Sequence, residues 1–257
     1  MNLFQTIILG IVEGFSEFLP ISSTGHLILV SKLLKIETSE FLKSFEIIIQ
    51  LGAILAVPAL YWKKIINNKQ VWLKLGVAFI PTAIIGFALY KIIKQVFLES
   101  ESLVVYSLFI GGIALIAFEI WHKQRNVKTA KNVEKISFKD SALIGTVQSL
   151  AMIPGVSRSA ATIIGGMLAG VSREAIVEFS FLLAIPTMTA ATGYDLLKNA
   201  NSFSLNQFNL LLVGFIVSFI TALLSIKWLL NFVKKHSFIA FGIYRIIVAL
   251  VFWVLIL

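Results

Sequence analysis

Apolar runs of about 18 to 23 residues, the length a helix needs to cross a bilayer, recur along the whole chain between short polar gaps. Uninterrupted runs fall at about 45–62, 75–93, 103–121, 176–194, 208–230 and 238–257. Two further apolar segments, 3–34 and about 141–171, carry polar side chains, Gly and Pro in their middles. Pro20 has to break any helix through the first, which therefore reads as two half-helices meeting at residues 19–23. The second shows the same break at Pro154 and Gly155. Broken backbone at membrane depth survives only where protein buries it or where it lines a wet cavity. The pattern predicts an all-α, polytopic membrane protein.

The order of a broken segment followed by three spans occurs twice. An offset of 135 places Gly10 on Gly145, Val12 on Val147, Ser22 on Ser157 and Ser102 on Ser237, while 134 places Pro20 on Pro154 and Phe45 on Phe179. The expected organisation is one membrane domain over 1–257, made of repeat one (1–121), a polar linker (122–140) and repeat two (141–257). If each broken segment enters and leaves on one side, three full spans per half turn the second half upside down. That gives two inverted-topology repeats, each a re-entrant helix hairpin plus three transmembrane helices.

Cations orient this arrangement. With the linker in the cytoplasm, Lys123, Arg125, Lys128, Lys131, Lys135 and Lys139 join Lys63, Lys64, Lys69, Lys74, Arg173, Lys234 and Lys235 there. The opposite side holds Lys32, Lys35, Lys43, Lys91, Lys94 and Lys198, so the cytoplasmic excess is thirteen to six. The net charge of +9 thus belongs to loops and not to a nucleic-acid surface, and a hydrophobic content of 58% against 14% charged residues fits lipid surroundings. The absence of cysteine removes disulfides, thiolate metal sites and cysteine nucleophiles.

The polar residues inside the broken segments carry the chemistry. Glu13 and Glu17 lie four apart, so one helix face presents both carboxylates; buried together they need a divalent cation or a shared proton. A wet vestibule that merely solvates them is the plainer account. Ser22, Ser23 and Thr24 follow Pro20 at the start of the next half-helix, where free N–H groups and the dipole favour an anion. His26 lies within one turn of that start. In the second segment Ser157, Arg158, Ser159 and Thr162 follow the break, and the guanidinium fork of Arg158 suits phosphate oxygens. The plainer account is that Arg158 only neutralises Glu13 or Glu17. Glu46 and Gln50 share a helix face and either line the same cavity or support it from behind. Glu119, Glu178, Asp195 and Arg245 read as snorkelling or structurally paired groups.

At EGFSEFLPISSTGH (13–26), PGVSRSAAT (154–162) and FEIIIQLGAILAV (45–57), the sequence closely resembles the undecaprenyl-diphosphate phosphatase family, the bacitracin-resistance proteins of bacterial inner membranes. Length and span layout agree over the whole chain. The resemblance implies hydrolysis of undecaprenyl diphosphate to undecaprenyl phosphate and inorganic phosphate, which recycles the carrier lipid of peptidoglycan synthesis. It implies Ser23, His26, Glu17 and Arg158 as the reacting groups, Ser22, Thr24, Ser157, Ser159 and Thr162 as phosphate contacts beside Arg158, and Mg2+ or Ca2+ on Glu13 and Glu17. A serine hydroxyl, His26 or an activated water could attack, with Ser23 assisted by His26 the favoured arrangement. The expected partners are a polyprenyl diphosphate, membrane lipid and, as a candidate, a second copy in a homodimer. An alternating-access transporter or flippase of an anionic lipid is the competing class, because inverted repeats with broken helices also serve transport.

Overall fold

A computed structural model of the protein describes residues 1–92, 100–124, 131–198 and 207–256. Lys94, Arg125 and Lys128 lie outside the described residues, as do the side chains of Lys91, Asp195 and Lys198. Ten helices follow in order: α1 (Leu3–Ser16), α2 (Ser23–Leu33), α3 (Glu40–Asn67), α4 (Lys69–Ile92), α5 (Glu101–Gln124), α6 (Phe138–Gln148), α7 (Arg158–Leu168), α8 (Arg173–Lys198), α9 (Phe208–Val233) and α10 (Ile239–Ile256). The described residues form no strand, only an isolated parallel bridge between Lys131 and Val171.

Helices α3, α4, α5, α8 and α9 are long and apolar enough to cross a membrane, while α1 and α10 are apolar but shorter. Their outward faces are greasy at helical spacing, with Ile80, Ile84 and Phe87 exposed on α4 and Ile216, Ile220 and Leu224 exposed on α9. Phe87 alone is 84% exposed. Such stripes reverse the pattern of a water-soluble helix and are stable only against hydrocarbon. The protein is a multi-pass membrane protein.

Lipid tails are as apolar as leucine, so helices associate through close packing of small residues. α1 and α3 both lie against α9, α4 lies against α6, and α5 lies against α10. Gly14 of α1 meets the Ser218 carbonyl of α9, and Gly145 of α6 meets the Ala78 carbonyl of α4. On α5 and α10, Gly112 and Gly242 face each other so closely that a Cβ on either would stand 2.7 or 2.8 Å from the other's carbonyl oxygen. α1 also packs on α2, and α6 on α7, so each broken segment folds back on itself.

Charges gather where these helices end. Glu119 and Glu178 are structurally paired, as expected: Arg173 grips Glu119 at 2.6 and 3.1 Å, and Lys64 reaches Glu178 at 2.6 Å. Lys74 donates to the Glu134 carbonyl at 2.7 Å. Asp140 caps the first turn of α6 with Ser137 and pairs with Lys131 at 2.8 Å. Partial burial pushes the Asp140 carboxyl up, but the hydrogen bonds from Lys131 and Ser137 outweigh it and hold the group below its ordinary value. At the other end of the molecule Lys32 pairs with Glu101.

Gly145→Ala should lower thermal stability in detergent by at least about 1–3 kcal/mol, since the added methyl meets rigid backbone at Ala78. Gly76→Ala, whose Cβ would meet nothing within 4 Å, should leave the melting temperature unchanged or raised.

Candidate active site

Both breaks are built alike. α1 ends at Ser16, the chain turns through Glu17–Ser22, and α2 begins at Ser23. Ser22 has φ 74° and its Oγ accepts from the Gly25 N–H at 3.4 Å. In the other segment a 3-10 turn over Ser149–Met152 leads through Pro154 and Gly155 to α7. There Ser157 has φ 77° and its Oγ accepts from the Ala160 N–H at 3.2 Å. A non-glycine residue held this way costs on the order of 1–3 kcal/mol and persists only where its surroundings over-determine it. Gly155, at φ +92°, lies so close to α5 that a Cβ would come within 2.7 Å of the Val104 carbonyl oxygen.

The two breaks meet. Arg158 Nη2 contacts Glu17 Oε1 at 2.7 Å, with the Arg158 and Glu17 side chains only 14% and 4% exposed. Arg158 Nη1 donates to the Ser180 carbonyl at 2.9 Å and reaches its Oγ at 3.3 Å. Ser159 Oγ donates to the Phe18 carbonyl at 2.8 Å, and the Phe18 ring lies 5.8 Å from the guanidinium. Ser23 Oγ donates to Glu17 Oε2, so Glu17 serves Ser23 and Arg158 at once. The pairing of Arg158 with Glu17 matches the plainer expectation for that arginine, but it does not satisfy the whole guanidinium.

Arg158 Nε and both carboxylate oxygens of Glu13 are buried without a donor or acceptor from a neutral group, and Glu13 lies close enough to Glu17 for the two carboxyls to share a proton. Glu13 is fully buried, and the charges acting on it are those of Glu17, Glu46 and, opposing them, Arg158. Buried polar atoms are almost always partnered, so the Arg158 Nε and the Glu13 carboxyl are places for a water, an ion, a proton or a ligand. Glu13 and Glu17 make a hard, oxygen-only donor pair, which fits a magnesium- or calcium-type cation. Among the described residues no group of three or more His, Cys, Asp or Glu is placed to hold a metal, so the protein would supply part of such a shell only.

His26 Nδ1 lies 2.7 Å from the Ser22 carbonyl, and Nε2 lies 2.9 Å from the Tyr244 hydroxyl. Thr162 donates towards the Arg158 carbonyl and Gln148 Oε1, and Gln148 donates in turn to Thr82. Ser159 and Thr162 thus commit their protons to protein acceptors. Thr24, Glu46 and Gln50 are half-buried and take no part in the hydrogen bonds just described.

The expectation fails for Arg245, which neither snorkels nor pairs with an acid. It is fully buried and bonds to five carbonyls. Its Nη1 reaches Pro20 O at 3.3 Å and Val156 O at 2.9 Å, its Nη2 reaches Gly155 O at 2.8 Å and Ser107 O at 3.1 Å, and its Nε reaches Leu108 O at 3.4 Å. One side chain of α10 therefore ties both breaks to α5. The available signal was that Arg245 is the sole charged residue of its helix. Tyr244, Ser180 and Gln148 gave no comparable signal, since each is an ordinary residue in its own segment.

A family model described as bacitracin resistance protein BacA matches residues 6–251. An undecaprenyl-diphosphatase of Aquifex aeolicus is 53% identical over 252 residues, covering 98% of both chains. Proteins of the same name from Wolinella succinogenes and Campylobacter jejuni are 52% and 50% identical, covering 98% and 99% of this chain and 97% and 95% of their own.

Arg245→Met strips donors from carbonyls of both breaks, at roughly 1–3 kcal/mol for each group left unsatisfied. Thermal unfolding in detergent should rank wild type above Arg245→Lys and Arg245→Lys above Arg245→Met, because a single ammonium cannot span three segments. Equal melting temperatures would remove the clamp.

Proposed function

The chain belongs to the bacitracin resistance protein family BacA, and on that footing we propose that it is a membrane phosphatase that hydrolyses undecaprenyl diphosphate to undecaprenyl phosphate and inorganic phosphate. The reaction returns the carrier lipid to peptidoglycan synthesis, which places the enzyme in the bacterial inner membrane. The observation that carries the reading to particular residues is Arg158, paired with Glu17 across the two breaks but with its buried Nε left open. An anionic phosphate takes that Nε, and a cation or proton takes the Glu13 carboxylate.

Phosphoryl transfer asks mainly for positioning and charge stabilisation. Arg158 would hold the terminal phosphate through Nε, assisted by the N-termini of α2 and α7, whose dipoles favour anions. Ser22, Thr24, Ser157, Ser159 and Thr162 cap those helices or lie in their opening turns, and Glu46 and Gln50 of α3 would support the site from behind. A divalent cation held by Glu13 and Glu17 would offset the charge of the diphosphate when bound. Ser23 is the candidate nucleophile, because its proton already points to Glu17. Its Oγ–P bond forms as the anhydride P–O bond breaks, undecaprenyl phosphate leaves with the bridging oxygen, and Glu17 holds the proton. Water then cleaves the phosphoserine, His26 taking the water's proton and Glu17 returning its own to Ser23 Oγ, and the released phosphate keeps the water oxygen. Attack by His26 or directly by water would instead leave Ser23 dispensable, and Ser23→Ala separates the cases.

The finer architecture we propose is a pair of inverted repeats, 1–121 and 141–257, each with a re-entrant hairpin (α1–α2, α6–α7) and three spans. Three features support it. Ser22 and Ser157, 135 residues apart, cap their helices from the same unusual backbone conformation. α1 packs on α9 as α6 packs on α4, which is the exchange a two-fold relation between halves requires. Lys123, Arg173, Lys234 and Lys235 line one cavity, consistent with their assignment to a single side of the membrane.

Purified protein in detergent, with no gradient, should release inorganic phosphate from a polyprenyl diphosphate. No release, with lipid flux in sealed vesicles, would select the transporter class. Arg158→Lys keeps charge but loses the fork, and kcat/KM should fall at least about 100-fold. Glu17→Gln should lower the rate and weaken its dependence on added Mg2+ or Ca2+, and an unchanged metal titration would take the cation out of this mechanism.

A further inference from the structure

We propose that Tyr244 is a positioning residue for His26, holding the imidazole at Nε2 before and after it takes a proton while the Ser22 carbonyl fixes the tautomer. The geometry determines the hydrogens. A carbonyl only accepts, so the 2.7 Å contact with Ser22 O requires Nδ1 to carry the ring proton. In the neutral ring Nε2 is then an acceptor, and the hydroxyl of Tyr244 at 2.9 Å donates to it. The two rings are nearly parallel, 7° apart with centroids at 5.6 Å.

This leaves Nε2 as the one nitrogen of His26 able to exchange a proton during turnover, and its partner is the phenol and not a serine. A carboxylate in that place would bind the imidazolium permanently. A hydroxyl donates to the neutral ring, passes that proton to Nε2 as it takes another from the attacking water, and then accepts from Nε2–H. Both states of His26, which is only 8% exposed, are therefore satisfied without movement of the ring. Tyr244 is itself 42% exposed, so its hydroxyl is held by α10 at the edge of the buried site. Its neighbour Arg245 anchors that same turn of α10 to the carbonyls of both breaks, which sets the position of the phenol relative to α2. The kinetic part of this role rests on the phosphatase reading above, whereas the tautomer does not.

Histidine-selective 15N labelling of the full-length protein in detergent tests the assignment, with His26→Asn identifying the His26 signals among the three histidines of the chain. The expected spectrum has Nδ1 protonated and Nε2 bare and hydrogen-bonded, with the Nε2 signal displaced in Tyr244→Phe. In phosphate-release assays Tyr244→Phe should lower kcat about ten- to a hundredfold, the scale of one buried group left unpartnered, with KM within about twofold. In the His26→Asn background the same change should add less than about twofold, since the group it positions is gone. A wild-type His26 protonated on Nε2, an unmoved Nε2 signal in Tyr244→Phe, or a full loss repeated in the His26→Asn background would overturn the proposal. If Tyr244→Phe does not fold, the wild-type Nε2 signal decides: the shift of a bare nitrogen that accepts a hydrogen bond supports the proposal, and that of an unbonded nitrogen overturns it. A wild type with the expected tautomer but no phosphate release would sink the phosphatase reading and leave the histidine assignment standing.

Discussion

A guanidinium with no carboxylate beside it, buried in the middle of a membrane protein, is among the costliest groups a fold can contain. Arg245 is tolerated because the broken helices create the opposite problem. Where a helix breaks at membrane depth the carbonyls of the connecting backbone have no helical N–H partners, and lipid offers none. Pro20, Gly155 and Val156 contribute such carbonyls, and Arg245 supplies donors in a fixed fork that reaches all three. Ser107 and Leu108 of α5 complete the set, with Gly111 leaving room for the guanidinium to lie against the helix. Two unfavourable features thus stabilise each other, and the strained serine caps and the Glu17–Arg158 pair stand on that junction.

The two buried arginines differ in how far their surroundings satisfy them. Arg245 is saturated by backbone. Arg158 is held by Glu17 and Ser180 yet keeps Nε open, and the Glu13 carboxyl has only a proton to share with Glu17. An ion pair of this kind is poor evidence for stability, because burying its charges costs about as much as their attraction returns. A half-satisfied charge cluster makes sense as a receptor for a ligand carrying its own charges.

Much of this could be read along the chain. The helices contain the expected runs almost entirely, with 45–62 falling inside Glu40–Asn67 and 208–230 inside Phe208–Val233; they run longer because a helix continues into the interface for as long as its backbone bonds are satisfied. The broken segments, the acidic pair, the serines and Arg158 stood out because polar residues in an apolar run have few innocent explanations. What stayed hidden depended on contacts across the fold. Tyr244 meets His26 across 218 positions and Arg245 meets Pro20 across 225, and nothing near either end marks the other. Hydroxyls gave the opposite error of emphasis: Ser159 and Thr162 looked like free phosphate contacts, but their protons go to Phe18, Arg158 and Gln148.

The crossing-over of packing partners has a bearing on biogenesis. α1 carries Glu13 and ends beside Glu17, and the helix it leans on, α9, is among the last to leave the ribosome. Until residues 208–233 arrive, the first hairpin holds its acidic groups without the wall that later encloses them, so neither half can mature by itself. Synthesis through α9 must precede closure of the pocket, and a product truncated before it would strand carboxyl groups against acyl chains or the insertion machinery.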